Sequence, residues 1–322
     1  MNLDFDQLPL WLNSAITIGS MAIVGAGAHW VVESATGLSR RLGISELVIG
    51  LTVVALGTSA PEFAVTIIAA FKGQGDISVG NIVGSNIFNL GFILGGSALI
   101  RAIPVDRTLW RRDGAILGGT TALLFLMIAS NLKLDRLEGV LLAALLGVYL
   151  GYLLVARKDG VVPDPTVERS RQWPLIATCS LFLTGLVFIV GGSHLLVGAA
   201  TGVARDLGVS EWVIGVTVIA AGTSVPEFAT CLVGVIKGKF AMSAGNVIGS
   251  DLFNLLGVLG VAGMLRPMSV DPMARISLAA LCGMVLLLAV FMRTGWRISR
   301  LEGLVLVLVA ALRWVFDFSV RS

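Results

Sequence analysis

The sequence predicts an all-α membrane protein: ten transmembrane helices arranged as two inverted-topology five-helix repeats. Three observations carry this. Hydrophobic residues make up 56% of the 322 residues and charged residues only 13%, against about a quarter charged in soluble domains. Residues 43–96 recur at 208–261 with a constant offset and 28 of 54 positions identical. The copies are separated by an odd number of apolar runs, so the second enters the membrane upside down.

The apolar runs fall at 9–33, 46–71, 77–100, 114–130 and 139–156, then at 174–199, 211–236, 242–265, 276–292 and 303–318. Nearly all are long enough to span as a helix, and none has the alternating pattern of a β-barrel strand. The repeats are therefore residues 1–156 and 174–322. The polar, proline-containing segment 157–173 links them on the cytoplasmic side. The duplication extends weakly outward: GAGAHW at 25–30 matches VGGSHL at 190–195, and LDRLEG at 134–139 resembles ISRLEG at 298–303.

The N-terminus carries Asp4 and Asp6 and no basic residue before the first apolar run, so it reads as a retained helix rather than a cleaved signal. Most of the 23 Lys and Arg residues fall in one set of alternate loops. The positive-inside rule then places both termini outside a cell (inner) membrane. The net charge of +3 is spread over loops and gives no footprint for nucleic acid. Cys179, Cys231 and Cys282 form no CxxC pair and read as small apolar residues. Trp11, Trp173 and Trp314 read as interfacial anchors. His29 and His194, at matched positions, read as packed, hydrogen-bonded side chains.

The chemistry lies in the duplicated segment. Thr58-Ser59-Ala60-Pro61-Glu62 sits mid-span in the first copy and Thr223-Ser224-Val225-Pro226-Glu227 in the second. Proline removes a backbone donor and breaks or kinks the helix, exposing carbonyls upstream. Such groups are tolerated at membrane depth only against protein or a water-filled cavity. An acid there costs at least about 2.5 kcal/mol and faces a partner. The sole basic residue within an apolar run is Arg313, late in the tenth, so the partner is a mobile cation or a proton. A protonated glutamate bridging helices would have to occur twice at matched positions.

Asn81, Ser85 and Asn89 are spaced four apart, on one helix face, and Asn246, Ser250 and Asn254 repeat them. Gly80/Gly84 and Gly245/Gly249 permit close helix approach. Two carboxylates, with the hydroxyls, amides and the carbonyls of Ala55, Thr58, Ala220 and Thr223, form an all-oxygen set suited to hard cations. Its charge balances one Ca²⁺, two Na⁺ or two protons. Asp251 replaces the Asn86 of the first copy, about 100° around the helix from Ser250, where it lines an access path or pairs at an interface.

The paired motifs G-T-S-x-P-E and G-N-x-x-G-S-x-x-F-N resemble the α-repeats of the calcium/cation antiporter superfamily, in its sodium/calcium exchanger branch. That resemblance implies Glu62 and Glu227 as central Ca²⁺ ligands. It implies hydroxyl or carbonyl ligands from Thr58, Ser59, Ser85, Thr223, Ser224 and Ser250, with Asn89 and Asn254 at the late amide positions. Some relatives, including potassium-dependent exchangers, carry Asp where this chain has Asn254, which argues against potassium dependence here. The expected function is Na⁺/Ca²⁺ antiport by a monomer, with no enzymatic activity and no prosthetic group. Ca²⁺/H⁺ exchange on the same scaffold is the alternative, and a cation channel a more distant one.

Overall fold

The computed structural model describes residues 5, 8–156, 173–208 and 220–321. The linker therefore lies outside the described residues except for Trp173, as does the start of the seventh apolar run. The described helices are α1 (Leu10–Leu42), α2 (Glu46–Thr58), α3 (Ala60–Phe71), α4 (Gly75–Ile100), α5 (Leu109–Asn131) and α6 (Arg136–Ala156). They continue with α7 (Leu175–Asp206), α8 (Val225–Ile236), α9 (Phe240–Leu265), α10 (Met273–Arg293) and α11 (Arg300–Arg321).

Among these, seven are long and apolar enough to cross a membrane, or eight if α2 and α3, bent by 50° at their junction, form one span. The chain is thus an all-helical multi-pass membrane protein with two small additions. β1 (Ile103–Pro104) pairs antiparallel with β4 (Arg297–Ile298), and β2 (Lys133–Leu134) pairs with β3 (Met268–Ser269). The sequence offset that carries β1 onto β3 also carries β2 nearly onto β4, so exchanging the halves maps one ribbon onto the other.

Two hydrophobic cores organise the bundle. The larger joins α2 through α6 with α8 through α11 around fully buried Leu90, Leu94, Leu124, Leu255 and Leu259. The smaller lies chiefly between α1 and α7, around Val31, Val32, Phe182 and Ile189. These two helices hold 33 and 32 residues, about 50 Å at 1.5 Å per residue. That exceeds the roughly 30 Å hydrocarbon core, so they tilt or project. They cross where side chains are absent: a Cβ on Gly27 would lie 2.8 Å from the Gly185 carbonyl oxygen, and one on Gly192 2.9 Å from a Val24 methyl. Rising numbers on α1 meet falling numbers on α7, so this matched pair runs antiparallel.

α2 and α9 are matched differently. A Cβ on Gly245 would lie 2.7 Å from the Leu47 oxygen, and one on Gly249 2.6 Å from Leu51 Cα. Both numbers rise together, so these helices run parallel and nearly backbone to backbone. Gly80 and Gly84 meet nothing within 4 Å among the described residues. Their counterpart contact would fall on 212–216, which are not described.

Several helices contain π-turns: Gly50–Val54 in α2, Asn89–Gly95 in α4, Leu109–Gly114 opening α5, and Phe253–Val258 in α9. Such turns add a residue to the helical repeat and often mark functional positions. α5 also begins five residues before the apolar run, which brings Arg112 and Asp113 into the helix. Buried Asp113 accepts from Arg112 Nε at 2.8 Å and from the Tyr149 hydroxyl at 3.0 Å, tying α5 to α6.

Candidate ion-binding site

The expected proline break is present in both halves. Ser59 ends α2 with φ −79° and ψ 10°, and Ser224 precedes α8 with φ −89° and ψ 6°. Pro61 and Pro226 then sit in the first turn of α3 and α8, where a missing N–H costs nothing. Because Pro61 cannot donate, the Gly57 carbonyl has no partner at the usual fourth residue. Glu62 and Glu227 fall in the same first turns, at the positive ends of two helix dipoles. A buried carboxylate is therefore held by helix geometry as well as by side chains.

The two halves exchange hydrogen bonds. Ser59 Oγ donates to Glu227 Oε1 at 2.9 Å, and Ser224 Oγ donates to Glu62 Oε1 at 3.0 Å. Ser250 Oγ adds a longer bond to Glu227 Oε1 at 3.4 Å and stands 3.4 Å from Thr58 Oγ1. Thr58, Ser59, Glu62, Ser224, Glu227 and Ser250 are all fully buried. Glu62 Oε2, Glu227 Oε2 and Thr223 Oγ1 are buried with no hydrogen-bond partner among the described residues. Two carboxylate oxygens, one from each half, are thus left without donors beside a ring of hydroxyls.

The remaining expected ligands on α4 and α9 bond mainly to other residues than the glutamates. Ser85, Asn89 and Asn254 are buried on α4 and α9. The amides bond within their own layer: Asn89 Nδ2 donates to Asp251 Oδ1 at 2.9 Å, and Asn254 Nδ2 to Asn86 Oδ1 at 3.0 Å. Asn246 Oδ1 accepts from Thr58 Oγ1 at 3.3 Å, while Asn81 Nδ2 donates to Thr66 Oγ1 at 3.0 Å and lies 3.5 Å from the Glu62 carbonyl oxygen. The Ala55 carbonyl accepts from Ser59 N at 3.0 Å and Thr58 Oγ1 at 3.3 Å, so both lone pairs are engaged in this state. Ala220 begins a short helical turn, and its side chain is not described.

Asn86 joins this network without being among the expected ligands, and its place opposite Asp251 in the repeat is the signal that points to it. His29 is hydrogen-bonded, as expected, but not packed. Its side chain is instead 52% exposed and lies 3.1 Å from Glu33 and 3.3 Å from Lys237 Nζ.

Each crossing serine bond joins a hydroxyl to a group charged in one protonation state, worth about 1.5–3 kcal/mol. Ser59→Ala and Ser224→Ala are expected to weaken cation binding similarly, each by about tenfold or more. Titrating purified variants with Ca²⁺ by calorimetry checks this. A large effect from one serine and none from the other would contradict the reciprocal arrangement.

Comparison with known proteins follows the same outline. A family model described as sodium/calcium exchanger protein matches residues 13–155 and 178–318. The sodium/calcium exchanger MaX1 of Methanosarcina acetivorans is 30% identical, covering 92% of this chain and 96% of its own. The inner membrane protein YrbG of Escherichia coli K12 is 34% identical over 82% of this chain and 83% of its own. Among solved structures, the sodium-calcium exchanger NCX_Mj soaked with Na⁺ and Sr²⁺ superposes with a TM-score of 0.82. It is 28% identical and covers 94% of this chain and 98% of that one.

Proposed function

Since the chain belongs to the sodium/calcium exchanger family, we infer that it exchanges Na⁺ for Ca²⁺ across a membrane by alternating access, with Glu62 and Glu227 holding the ions. One observation carries the site assignment: the two buried, donor-free carboxylate oxygens, Glu62 Oε2 and Glu227 Oε2. A buried charge without a partner is costly, and a cation between the two acids removes that cost. Ca²⁺ takes six to eight oxygens in a flexible shell. Thr58, Ser59, Ser85, Asn89, Thr223, Ser224, Ser250 and Asn254 supply neutral oxygens around it. The carbonyls of Ala55 and Ala220 border the site at the helix breaks.

Na⁺ and Ca²⁺ use overlapping oxygens, so occupancy by one excludes the other. The ten-span, inverted arrangement, with the described helices as its members, is supported by the antiparallel α1 and α7 and by the exchanged ribbons. Residues 1–156 and 174–322 are the two repeats, joined by a cytoplasmic linker. α1 and α7 share a core largely of their own, which suits them to slide as a unit against the ion-binding helices and open one side at a time. The protein works as a monomer in the inner membrane with both termini outside and needs no prosthetic group.

Proteoliposomes test this reading. An outward Na⁺ gradient should drive Ca²⁺ uptake, whereas a pH gradient of equal size without Na⁺ should not. Uptake driven by the pH gradient alone would make the protein a Ca²⁺/H⁺ exchanger, and ungated flux far faster than antiport would make it a channel.

A further inference from the structure

The two histidines matched by the repeat, His29 and His194, differ in their company. His29 Nε2, on α1, lies 3.1 Å from Glu33 Oε2 one helical turn on. It also lies 3.3 Å from Nζ of Lys237, which caps the C-terminal end of α8. Lys237 Nζ stands 3.8 Å from the same Glu33 oxygen. These three side chains bridge α1, one of the two helices proposed to slide, to α8, which carries Glu227. Beside this bridge, Val225 and Val233 of α8 pack against the core shared by α1 and α7. The repeat offset of 165 carries His29 onto His194 and Lys237 onto Lys72, but Glu33 onto Gly198. The second copy therefore lacks the acid. Gly198 is covered by the Phe5 ring, which a Cβ there would overlap. Phe5 leads into α1, so that contact moves with the sliding pair. Among the described residues no ion pair engages His194 or Lys72.

We propose that Glu33, His29 and Lys237 form an electrostatic latch that holds α1 against α8 and keeps the ion site closed to the Lys237 face, with no counterpart on the other face. Lys237 sits at a helix C-terminus, where the negative end of the dipole favours a cation. Its ammonium can only donate, and Glu33 is the acceptor that balances its charge. Moving α1 away from α8 exchanges these contacts for water. Glu33 and His29 are half-exposed, and an ion pair of that exposure biases an equilibrium by up to about fivefold. Apparent affinity at a face falls with the fraction of molecules open to it. The latch thus makes the two faces unequal: ions bind less readily from the Lys237 face than from the other.

This proposal rests on the exchange reading and its sliding helices, and the two can fail separately. The test is the rate at which a maleimide labels Val233→Cys in purified, full-length protein whose three native cysteines are replaced by Ala. Val233 is covered while α1 is seated. Glu33→Gln and Lys237→Gln should each speed labelling about threefold to fivefold, and the double variant no further than either alone. Unchanged labelling in either single variant, or factors that multiply in the double variant, overturns the latch. If the cysteine-replaced chain does not fold, half-saturating Ca²⁺ on the Lys237 face of liposomes holding the native-cysteine chain serves instead. It should fall by the same factor in either single variant, and an unchanged value overturns the latch. Na⁺-driven Ca²⁺ uptake in liposomes reports on exchange. Uptake with unchanged labelling refutes only the latch, and faster labelling without uptake refutes only the exchange reading.

Discussion

Replacing either Glu62 or Glu227 by Gln is expected to abolish Na⁺-driven Ca²⁺ uptake, with a loss of at least about 100-fold, because a buried divalent ion then faces half its counter-charge. Gln preserves volume, and its carbonyl oxygen can still accept from the opposing serine. The change is thus one of charge. A second consequence has the opposite sign. In ion-free buffer each wild-type acid keeps one oxygen without a donor, so the Gln variants should unfold at equal or higher temperature than the wild type. Ca²⁺ should stabilise the wild type by mass action and leave the variants unmoved. Thermal unfolding with and without Ca²⁺ checks both signs. Variants that unfold early in every buffer would mark the glutamates as structural instead.

Adding one methyl group at Gly249 is expected to be nearly as damaging from a distance. A Cβ there would lie 2.6 Å from Leu51 Cα and 2.6 Å from the Leu51 carbonyl oxygen, and backbone atoms cannot rotate away. Overpacking of this kind costs about 1–3 kcal/mol. Forcing α2 and α9 apart also pulls Ser250 from Glu227 and Thr58, so transport should fall with stability. Gly151→Ala, on α6 where nothing lies within 4 Å, is the matched control. It should keep transport and gain stability if anything, by up to about 1 kcal/mol. Equal behaviour of the two variants would remove the close helix approach as a requirement of the site.

The sequence exposes the parts of this molecule that obey a period or a pair. Glu62 and Glu227, the proline breaks, and the faces carrying Asn81, Ser85 and Asn89 repeat at fixed spacing, and the structure buries both glutamates, Ser85 and Asn89. Gly245 and Gly249 could be read as a contact because small residues four apart admit a neighbouring backbone. The crossing of the serine bonds could not be read, since along the chain Ser59 lies beside Glu62 and 168 residues from Glu227, the acid it bonds. Only the packing of the two helix breaks against each other sends each hydroxyl to the other half's acid.

The π-turns left no mark for a different reason. Asn89-Leu90-Gly91 and Phe253-Asn254-Leu255 have ordinary helical composition, and tertiary packing decides where the extra residue is inserted. Arg112 and Asp113 fall just before the apolar run at 114–130, because adjacent charges interrupt the apolar pattern. Their burial depends on mutual neutralisation and on Tyr149 from the next helix. The histidines show the converse: a residue matched in both copies invites a packing role, yet His29 lies at the rim, beside Glu33 and Lys237.

The central claim is that the two repeats contribute one acid each to a single Ca²⁺ position that Na⁺ also uses. Equilibrium binding of ⁴⁵Ca²⁺ to purified protein tests it most directly. The expected result is one Ca²⁺ per chain, displaced competitively by Na⁺, and lost equally in Glu62→Gln and in Glu227→Gln. Two Ca²⁺ per chain, binding indifferent to Na⁺, or wild-type affinity in either variant would contradict it.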